Sequence, residues 1–283
     1  MKKTSDYERN LSEILRRHDP LAIAFSGGLD STLLAKFAGT ILKRVLLVHV
    51  SSPLTKKKET LNAVEWAKEN KIELVTLSID PLKNKKVRRN PEDRCYHCKK
   101  VIFKKVLSVA KNAGIKSLAD GTNKDDFGDF RPGMKAADEL GVIHPLAEAG
   151  LGKKEIRILS KKLGITDWKK PAAACLATRI PYGTALDIKT LDRIEACENL
   201  LEEIGIRSSR VRAFGDFAVI ETAPSDFHLA LKNKASIIKT FNKCGFRRIL
   251  LDIEGYRTGS LNNSRRLLAA TKKNSVDRRQ NPE

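Results

Sequence analysis

The octapeptide Ala24-Phe25-Ser26-Gly27-Gly28-Leu29-Asp30-Ser31 constrains the fold more than any other stretch of the chain. It closes the apolar run Leu21-Ala22-Ile23-Ala24-Phe25, which reads as a short buried strand, and it precedes Thr32 to Ala38, which reads as a helix. A strand, a Gly-rich turn and a helix start together make an anion site. Gly27 and Gly28 let the backbone approach phosphate, and the first amides of the helix point at it. Ser26 and Ser31 add hydroxyl donors. Asp30 puts a negative charge beside phosphate, which suits binding of the Mg²⁺ that neutralises the phosphates, or capping of the helix. The spacing is neither the Gly-x-x-x-x-Gly-Lys of a Walker A loop nor Gly-x-Gly-x-x-Gly.

The surrounding pattern agrees with such a site. Arg44 to Val50, Ile72 to Leu77 and Ser117 to Asp120 read as further strands, and Asp6 to Arg17, Glu59 to Asn70, Cys98 to Ala113, Arg131 to Leu140 and Lys153 to Leu163 as helices. Leu61, Val64 and Ala67 are expected on one face of the helix Glu59 to Asn70, the buried one, and Asp80 to Asp93 is expected to be a polar, basic loop. Strands alternating with helices over residues 20–165 predict an α/β fold with a doubly wound parallel sheet. Open sheets of this class place ligands at the carboxyl ends of their strands, where Gly121-Thr122-Asn123 falls.

The pattern changes after about residue 165. Asp167 to Thr184 is rich in Pro and Ala and reads as an ordered loop. Asp187 to Ile204 reads as a helix, residues 211–214 and 217–221 as a hairpin, the segment with Phe227, Leu231 and Ile238 as a helix, and Arg247 to Ile253 as a strand. The expected organisation is a nucleotide domain over 1–184, a smaller α+β C-terminal domain over 185–270 for substrate binding and oligomerisation, and a disordered tail over 271–283.

The chain has 283 residues and a formal net charge of +20, which favours polyanionic partners such as ATP, a phosphorylated substrate or RNA. The lysines are scattered, so solvated basic surface explains the charge equally well. No apolar run reaches the roughly 20 residues that cross a membrane, and the charged start does not read as a signal peptide, so a cytoplasmic location without membrane partners is expected. Five cysteines are an odd number in such a chain, which disfavours a disulfide framework.

Four groups of residues carry chemistry. The first is the phosphate loop with Gly121, Thr122 and Asn123, next to which Asp125 and Asp126 could hold Mg²⁺ or simply favour a helix start. The second is Cys95-Tyr96-His97-Cys98. At a helix N-terminus beside Arg94, Lys99 and Lys100 its thiols are expected to be reactive, as a redox pair, half of a zinc site or two ligands of an iron–sulfur cluster. The third is Cys175 in a small-residue loop, with Arg179 nearby to favour its thiolate. The fourth is Arg210 and Arg212, which alternation puts on one strand face, suited to phosphate or carboxylate, with Glu221 on the paired strand to orient them. Cys197 and Cys244 read as structural.

These stretches add up to a resemblance. The phosphate loop resembles that of the PP-loop ATP pyrophosphatases, which cleave ATP to AMP and pyrophosphate. Together with residues 94–99, Gly121 to Asp126, Asp129, Arg131-Pro132-Gly133, Cys175 to Gly183, Arg210 to Asp216 and Glu254 to Asn262, it resembles the LarE family of ATP-dependent sulfur transferases in nickel-pincer nucleotide biosynthesis. The resemblance implies that ATP adenylylates a carboxylate of a pyridinium biscarboxylate mononucleotide and that a sulfur nucleophile displaces AMP. It implies ATP binding by Ser26, Gly27, Gly28, Asp30, Ser31, Gly121, Thr122 and Asn123. It also implies a small-molecule nucleotide substrate whose phosphate is held by Arg210 and Arg212, with Glu198 and Glu221 as acidic site residues. Sulfur comes in this family either from the cysteine matching Cys175, which becomes dehydroalanine, or from a 4Fe-4S cluster. The trio Cys95, Cys98 and Cys175 favours the cluster, because three thiolates leave one iron open for an extra sulfide. A homo-oligomer is expected. The rival readings are a PP-loop tRNA thiolase, disfavoured by the lack of an RNA-binding appendage, and a non-catalytic ATP-binding regulator, disfavoured by Asp30.

Overall fold

The computed structural model of the protein describes residues 4–128, 132–166 and 174–257. Asp129, Arg131, residues 167–173 and the stretch from 258, the expected tail included, lie outside them. The chain divides between Ala174 and Cys175 into two compact units.

The first unit contains α1 (Thr4–Arg16), β1 (Leu21–Ala24), α2 (Leu29–Ile41), β2 (Val45–Ser51), α3 (Lys57–Glu69), β3 (Glu73–Ser78), α4 (Lys85–Arg88), α5 (Arg94–Asn112), β4 (Ser117–Ala119), α6 (Pro132–Asp138), α7 (Pro145–Glu148) and α8 (Lys153–Lys162). The sheet order is β3-β2-β1-β4 and every pairing is parallel, in register Leu21 with Val45, Leu21 with Ser117, and Leu46 with Glu73. Ile143 extends the sheet beyond β4 through a parallel bridge to Ala119.

Alternation along the central strands explains the two layers of helices. Ile23 and Leu47 belong to a core shared with Leu11 and Leu15 of α1, Leu33 and Leu34 of α2 and Ile156 of α8. Ala22, Leu46 and Val48 face the other way, into a core with Phe103 and Val106 of α5. The doubly wound α/β reading therefore describes this unit.

Three local expectations change. Asp80 to Asp93 is not a plain loop: Asp80 caps a 3-10 turn at Pro81–Lys83, and Asn84 caps α4 by accepting from the Lys86 amide. In α3, Leu61 and Val64 are exposed, and the buried residues are Ala63 and Ala67. The reason is steric. A Cβ on Gly27, at φ +74°, would lie 3.5 Å from the Cβ of Ala63, so α3 meets the phosphate loop through small side chains. Trp66 completes that face by packing on Phe25 at 5.2 Å between ring centroids. Part of Asp167 to Thr184 is likewise structured, as a 3-10 turn at Leu176–Arg179 in the second unit.

The second unit holds α9 (Ile188–Glu203), β5 (Arg210–Phe214), β6 (Phe217–Glu221), α10 (Phe227–Lys232), α11 (Lys234–Lys243) and β7 (Arg248–Leu251). The β5–β6 hairpin is antiparallel and β7 joins β6 in parallel, giving the order β5-β6-β7. Asp187 caps α9 by accepting from the Thr190 amide. Leu191, Ile194, Cys197 and Leu201 form its buried side. The single helix expected around Leu231 and Ile238 is two. Asn233 ends α10, with its amide donating to the Leu229 carbonyl, and α11 then buries Ile237 and Phe241 and leaves Leu231 and Ile238 exposed.

His49 of β2 ties the phosphate strand to α3. Its Nδ1 lies 2.8 Å from the Phe25 carbonyl and its Nε2 3.1 Å from Thr60 Oγ1. A carbonyl only accepts, so Nδ1 carries the proton, and Nε2 of the neutral ring accepts from the threonine hydroxyl. Burial depresses its pKa below the usual imidazole value, against the opposing hydrogen bond to Phe25. A depressed imidazole pKa contributes stability at pH above the unfolded value and loses it as pH falls through the folded one. Thermal melts from pH 8 to pH 5 should therefore show an acid-side loss of Tm in the wild-type protein that is smaller in His49→Gln.

Candidate active site

The phosphate loop lies between β1 and α2. Gly28 is the N-cap residue of α2 and caps without a side chain, so Asp30 is in the first helical turn and is not the cap. The loop is closed by its own serines. Ser26 Oγ accepts from the Gly28 amide at 3.3 Å and lies 3.0 Å from Ser31 Oγ, which itself donates to the Gly28 carbonyl at 3.0 Å. Ser26 and Gly27 are exposed and Ser31 is buried. The first-turn amides of a 13-residue helix thus face the loop, as anion binding requires.

The second strand end meets this turn closely. A Cβ on Gly121 would lie 2.8 Å from the Ser31 nitrogen, so only glycine allows the Gly121-Thr122-Asn123 backbone to rest on the start of α2. Asn123 is fully buried and reaches across: its Nδ2 donates to Asp30 Oδ2 at 3.3 Å and to Asp126 Oδ2 at 2.8 Å. Asp126 also accepts the Asn123 amide, and Asn123 Oδ1 accepts the Asp125 amide. Asp125 receives the Lys153 amide at 2.7 Å, which fixes the N-terminus of α8, and Gly152 is needed there because a Cβ would lie 2.7 Å from Asp125 Oδ1.

Lys153, which sequence reading placed only as a helix start, carries its ammonium onto Asp30 as an ion pair. Nothing in a lone lysine after glycine signals this. The contact spans 123 positions and exists only once α2 and α8 are packed. Asp30 Oδ1 is buried and finds no hydrogen-bond partner among the described residues. An orphaned carboxylate oxygen beside a phosphate loop fits a hard cation such as Mg²⁺.

Cys95 and Cys98 lie one turn apart in α5, both half-buried. Arg94 Nη2 is 3.9 Å from Cys95 Sγ. The two lysines expected to assist the thiols are engaged elsewhere. Lys99 Nζ is 3.6 Å from Asp120 and 4.7 Å from the Phe103 ring centroid, and Lys100 bonds Glu139 and the Tyr96 hydroxyl, both at 2.8 Å. Their long side chains reach carboxylates on neighbouring elements, Asp120 and Glu139. Among the described residues no three His, Cys, Asp or Glu side chains gather as a ready ligand group.

In the second unit, Cys175 precedes the 3-10 turn Leu176–Arg179. Arg179 reaches it through the main chain, donating from Nη1 to the Cys175 carbonyl at 3.0 Å, while Thr178 Oγ1 donates to the same carbonyl at 2.7 Å. The rest of the Arg179 fork meets Glu198: Nε to Oε1 at 2.9 Å and Nη2 to Oε2 at 3.0 Å, with both side chains buried. Glu198 Oε1 also accepts the Val211 amide, so the pair joins the Cys175 turn, α9 and β5. Arg212 is buried, donates to Glu221 at 2.7 Å and to the Thr178 carbonyl at 2.6 Å. The Arg212–Glu221 contact is diagonal, because the register sets Arg210 opposite Glu221. Arg210 differs. It forms no ion pair among the described residues and lies 5.1 Å from the Tyr256 ring centroid. Burial and the neighbouring Arg179 charge draw its pKa down. A guanidinium left beside other guanidiniums is suited to an incoming anion.

The chain is 33% identical over 86% of its length, and over 89% of the relative, to the pyridinium-3,5-bisthiocarboxylic acid mononucleotide synthase of Lactiplantibacillus plantarum. The chain belongs to the LarE family. Within that family it is also 35% identical, over 89% of its length and 96% of the relative, to an uncharacterised protein of Synechocystis sp.. A more distant likeness, 28% identity over 70% of the chain and 69% of the relative, joins this LarE-family chain to the B subunit of the glutamine-hydrolysing GMP synthase of Thermoplasma volcanium. No protein-family model matches the chain. The parallel sheet and the phosphate loop agree with the PP-loop superfamily to which these relatives belong.

Two substitutions test the frame of the site. Gly121→Ala should push the loop off Ser31 and cost about 1–3 kcal/mol in overpacking, read as a lower Tm together with weaker ATP binding. Glu198→Ala leaves the Arg179 charge buried without its carboxylate and should cost about 3–5 kcal/mol, read as a lower urea midpoint.

Proposed function

We propose that this chain is an ATP-dependent sulfur transferase of nickel-pincer cofactor synthesis. It would adenylylate a carboxylate of a pyridinium biscarboxylate mononucleotide and convert it to a thiocarboxylate. The observation that carries the reading is the phosphate loop with Asp30, Asn123 and Lys153 converging on it, in a chain 33% identical to a synthase of the bisthiocarboxylic acid mononucleotide.

The chemistry follows from those residues. The first-turn amides of α2 and the Lys153 ammonium take the charge of the ATP phosphates. Asp30 Oδ1 would hold Mg²⁺, which when bound would supply positive charge to offset that of the phosphates. Asp125 and Asp126 are the further carboxylates available near it. The substrate carboxylate attacks the α-phosphorus, the bond to pyrophosphate breaks, and an acyl adenylate forms. A sulfur nucleophile then adds to the acyl carbon and the bond to AMP breaks. Arg210 and Arg212 hold the substrate phosphate, with Glu198 and Glu221 fixing the arginines around them. Thr122 and Gly121 support the nucleotide from the neighbouring strand end.

For the sulfur we favour a 4Fe-4S cluster on Cys95, Cys98 and Cys175, which when bound supplies an extra sulfide at its open iron. The one-turn spacing of Cys95 and Cys98 suits two thiolate ligands on one helix face. Arg179 and Thr178 hold the Cys175 backbone in place for either role, cluster ligand or direct donor.

Asp30→Asn should remove ATP–pyrophosphate exchange while leaving the Tm within a few degrees. Anaerobically purified protein should contain about four irons per chain with matching acid-labile sulfide, lost in Cys95→Ala and Cys98→Ala together with sulfur transfer. Iron-free protein that transfers sulfur once and carries dehydroalanine at position 175 by mass would instead assign the sulfur to Cys175 itself.

A further inference from the structure

The charge chain behind the Gly121-Thr122-Asn123 loop is not used by the chemistry above. Asp120 is buried at the end of β4, and its amide donates to the Ile143 carbonyl at 3.1 Å. Its Oδ1 accepts the Thr122 amide at 2.9 Å and lies 2.7 Å from His144 Nδ1. The other ring nitrogen, Nε2, lies 3.1 Å from Oδ1 of Asp138 on α6. Both nitrogens of one imidazole thus face carboxylates, which only accept. A neutral ring would set a lone pair against one of them. The geometry therefore calls for two N–H donors on His144.

We propose that His144, as an imidazolium, is a positioning residue for the nucleotide loop: it fixes Asp120, Asp120 fixes Thr122, and deprotonation of His144 loosens the loop's grip on ATP. This rests on the reading of that loop as part of an ATP site. The next residue in the loop, Asn123, is the one that holds Asp30, so a shift of Thr122 is felt at the phosphate helix.

The groups facing the ring are consistent. Asp120 directly follows β4 and Asp138 ends α6, Lys99 of α5 faces the far oxygen of Asp120 at 3.6 Å, and Glu148 of α7 lines the same pocket as the ring. Burial acts to lower the His144 pKa, yet its hydrogen bonds to Asp120 and Asp138 and their charges raise it above the usual value. Burial also opposes ionisation of Asp120, but His144 and Lys99 draw its pKa down to about 2, so this carboxylate stays charged throughout the working range. Protons reach the ring from an open pocket of about 350 Å³ lined by Phe127, Ile143, His144, Ala147 and Glu148. A raised imidazole pKa supplies its interaction fully at low pH and loses it as pH rises through the folded value. The loss is thus expected on the alkaline side, opposite to that of His49.

The test combines a titration with a binding curve. The His144 C2 proton is assigned in NMR spectra by its disappearance in His144→Gln and followed from pH 5 to pH 10. MgATP affinity is measured calorimetrically over the same range for wild type, His144→Gln and Asp138→Asn. The expected results are a His144 pKa above 6.5, an ATP Kd that rises about tenfold as pH passes that pKa, and a Kd in His144→Gln that is already weak at pH 6.5 and flat with pH. Asp138 is 59% exposed, so Asp138→Asn folds normally and should move both the titration and the binding curve to lower pH. A ring that is neutral at pH 6, or binding equally tight in wild type and His144→Gln with no pH dependence, overturns the positioning role alone. Absence of ATP binding by the wild-type protein at every pH overturns the nucleotide-site reading beneath it.

Discussion

The carboxylate of Asp30 is the point on which the proposed nucleotide site depends. It is in the first turn of α2, where the helix dipole favours a negative charge, and it gathers Asn123 from the end of β4 and Lys153 from the start of α8. Three segments far apart in sequence are thereby held around one anion-binding turn. The exposed face of the turn stays available because the internal demands of the loop are met by Ser26 and Ser31. One oxygen of Asp30 has no hydrogen-bond partner among the described residues, which is why Mg²⁺ is proposed there.

Close backbone approach makes that gathering possible. Gly27 backs onto Ala63, Gly121 onto Ser31 and Gly152 onto Asp125, and a Cβ at either of the last two would collide. The small side chains of α3 and the neutral His49 between Phe25 and Thr60 belong to the same arrangement, since both hold α3 against the base of the loop. Packing density in such a region leaves no room for adjustment, so the geometry that binds phosphate is set by the core beneath it.

The second unit solves a different problem, keeping arginines buried and oriented. Arg179 is held bidentately by Glu198, and Arg212 by Glu221 and a main-chain carbonyl. Such pairs add little net stability but fix geometry, because each charge has only one satisfactory position once water is excluded. They anchor the Cys175 turn, whereas Arg210 lies over Tyr256 and donates only to the Ser209 carbonyl, without an ion pair among the described residues.

Much of this was legible in the sequence. The phosphate loop, the alternation of strands and helices, the β5–β6 hairpin and the cysteine and arginine motifs follow from local chemistry: glycine where φ is positive, apolar runs where both faces are covered, proline and aspartate at helix starts. Apolar periodicity alone does not name a buried face. Leu61 and Val64 of α3 are apolar yet exposed, because the partner surface, not the residue's own hydrophobicity, selected the small residues Ala63 and Ala67. The residues alone fix the Gly-rich turn between β1 and α2 and the class of fold around it. Packing alone fixes which charges meet. Lys153 on Asp30, His144 between Asp120 and Asp138, and Arg179 on Glu198 are pairings between separate elements, and an ion pair has no local signature because its energy depends on a distance that folding alone sets.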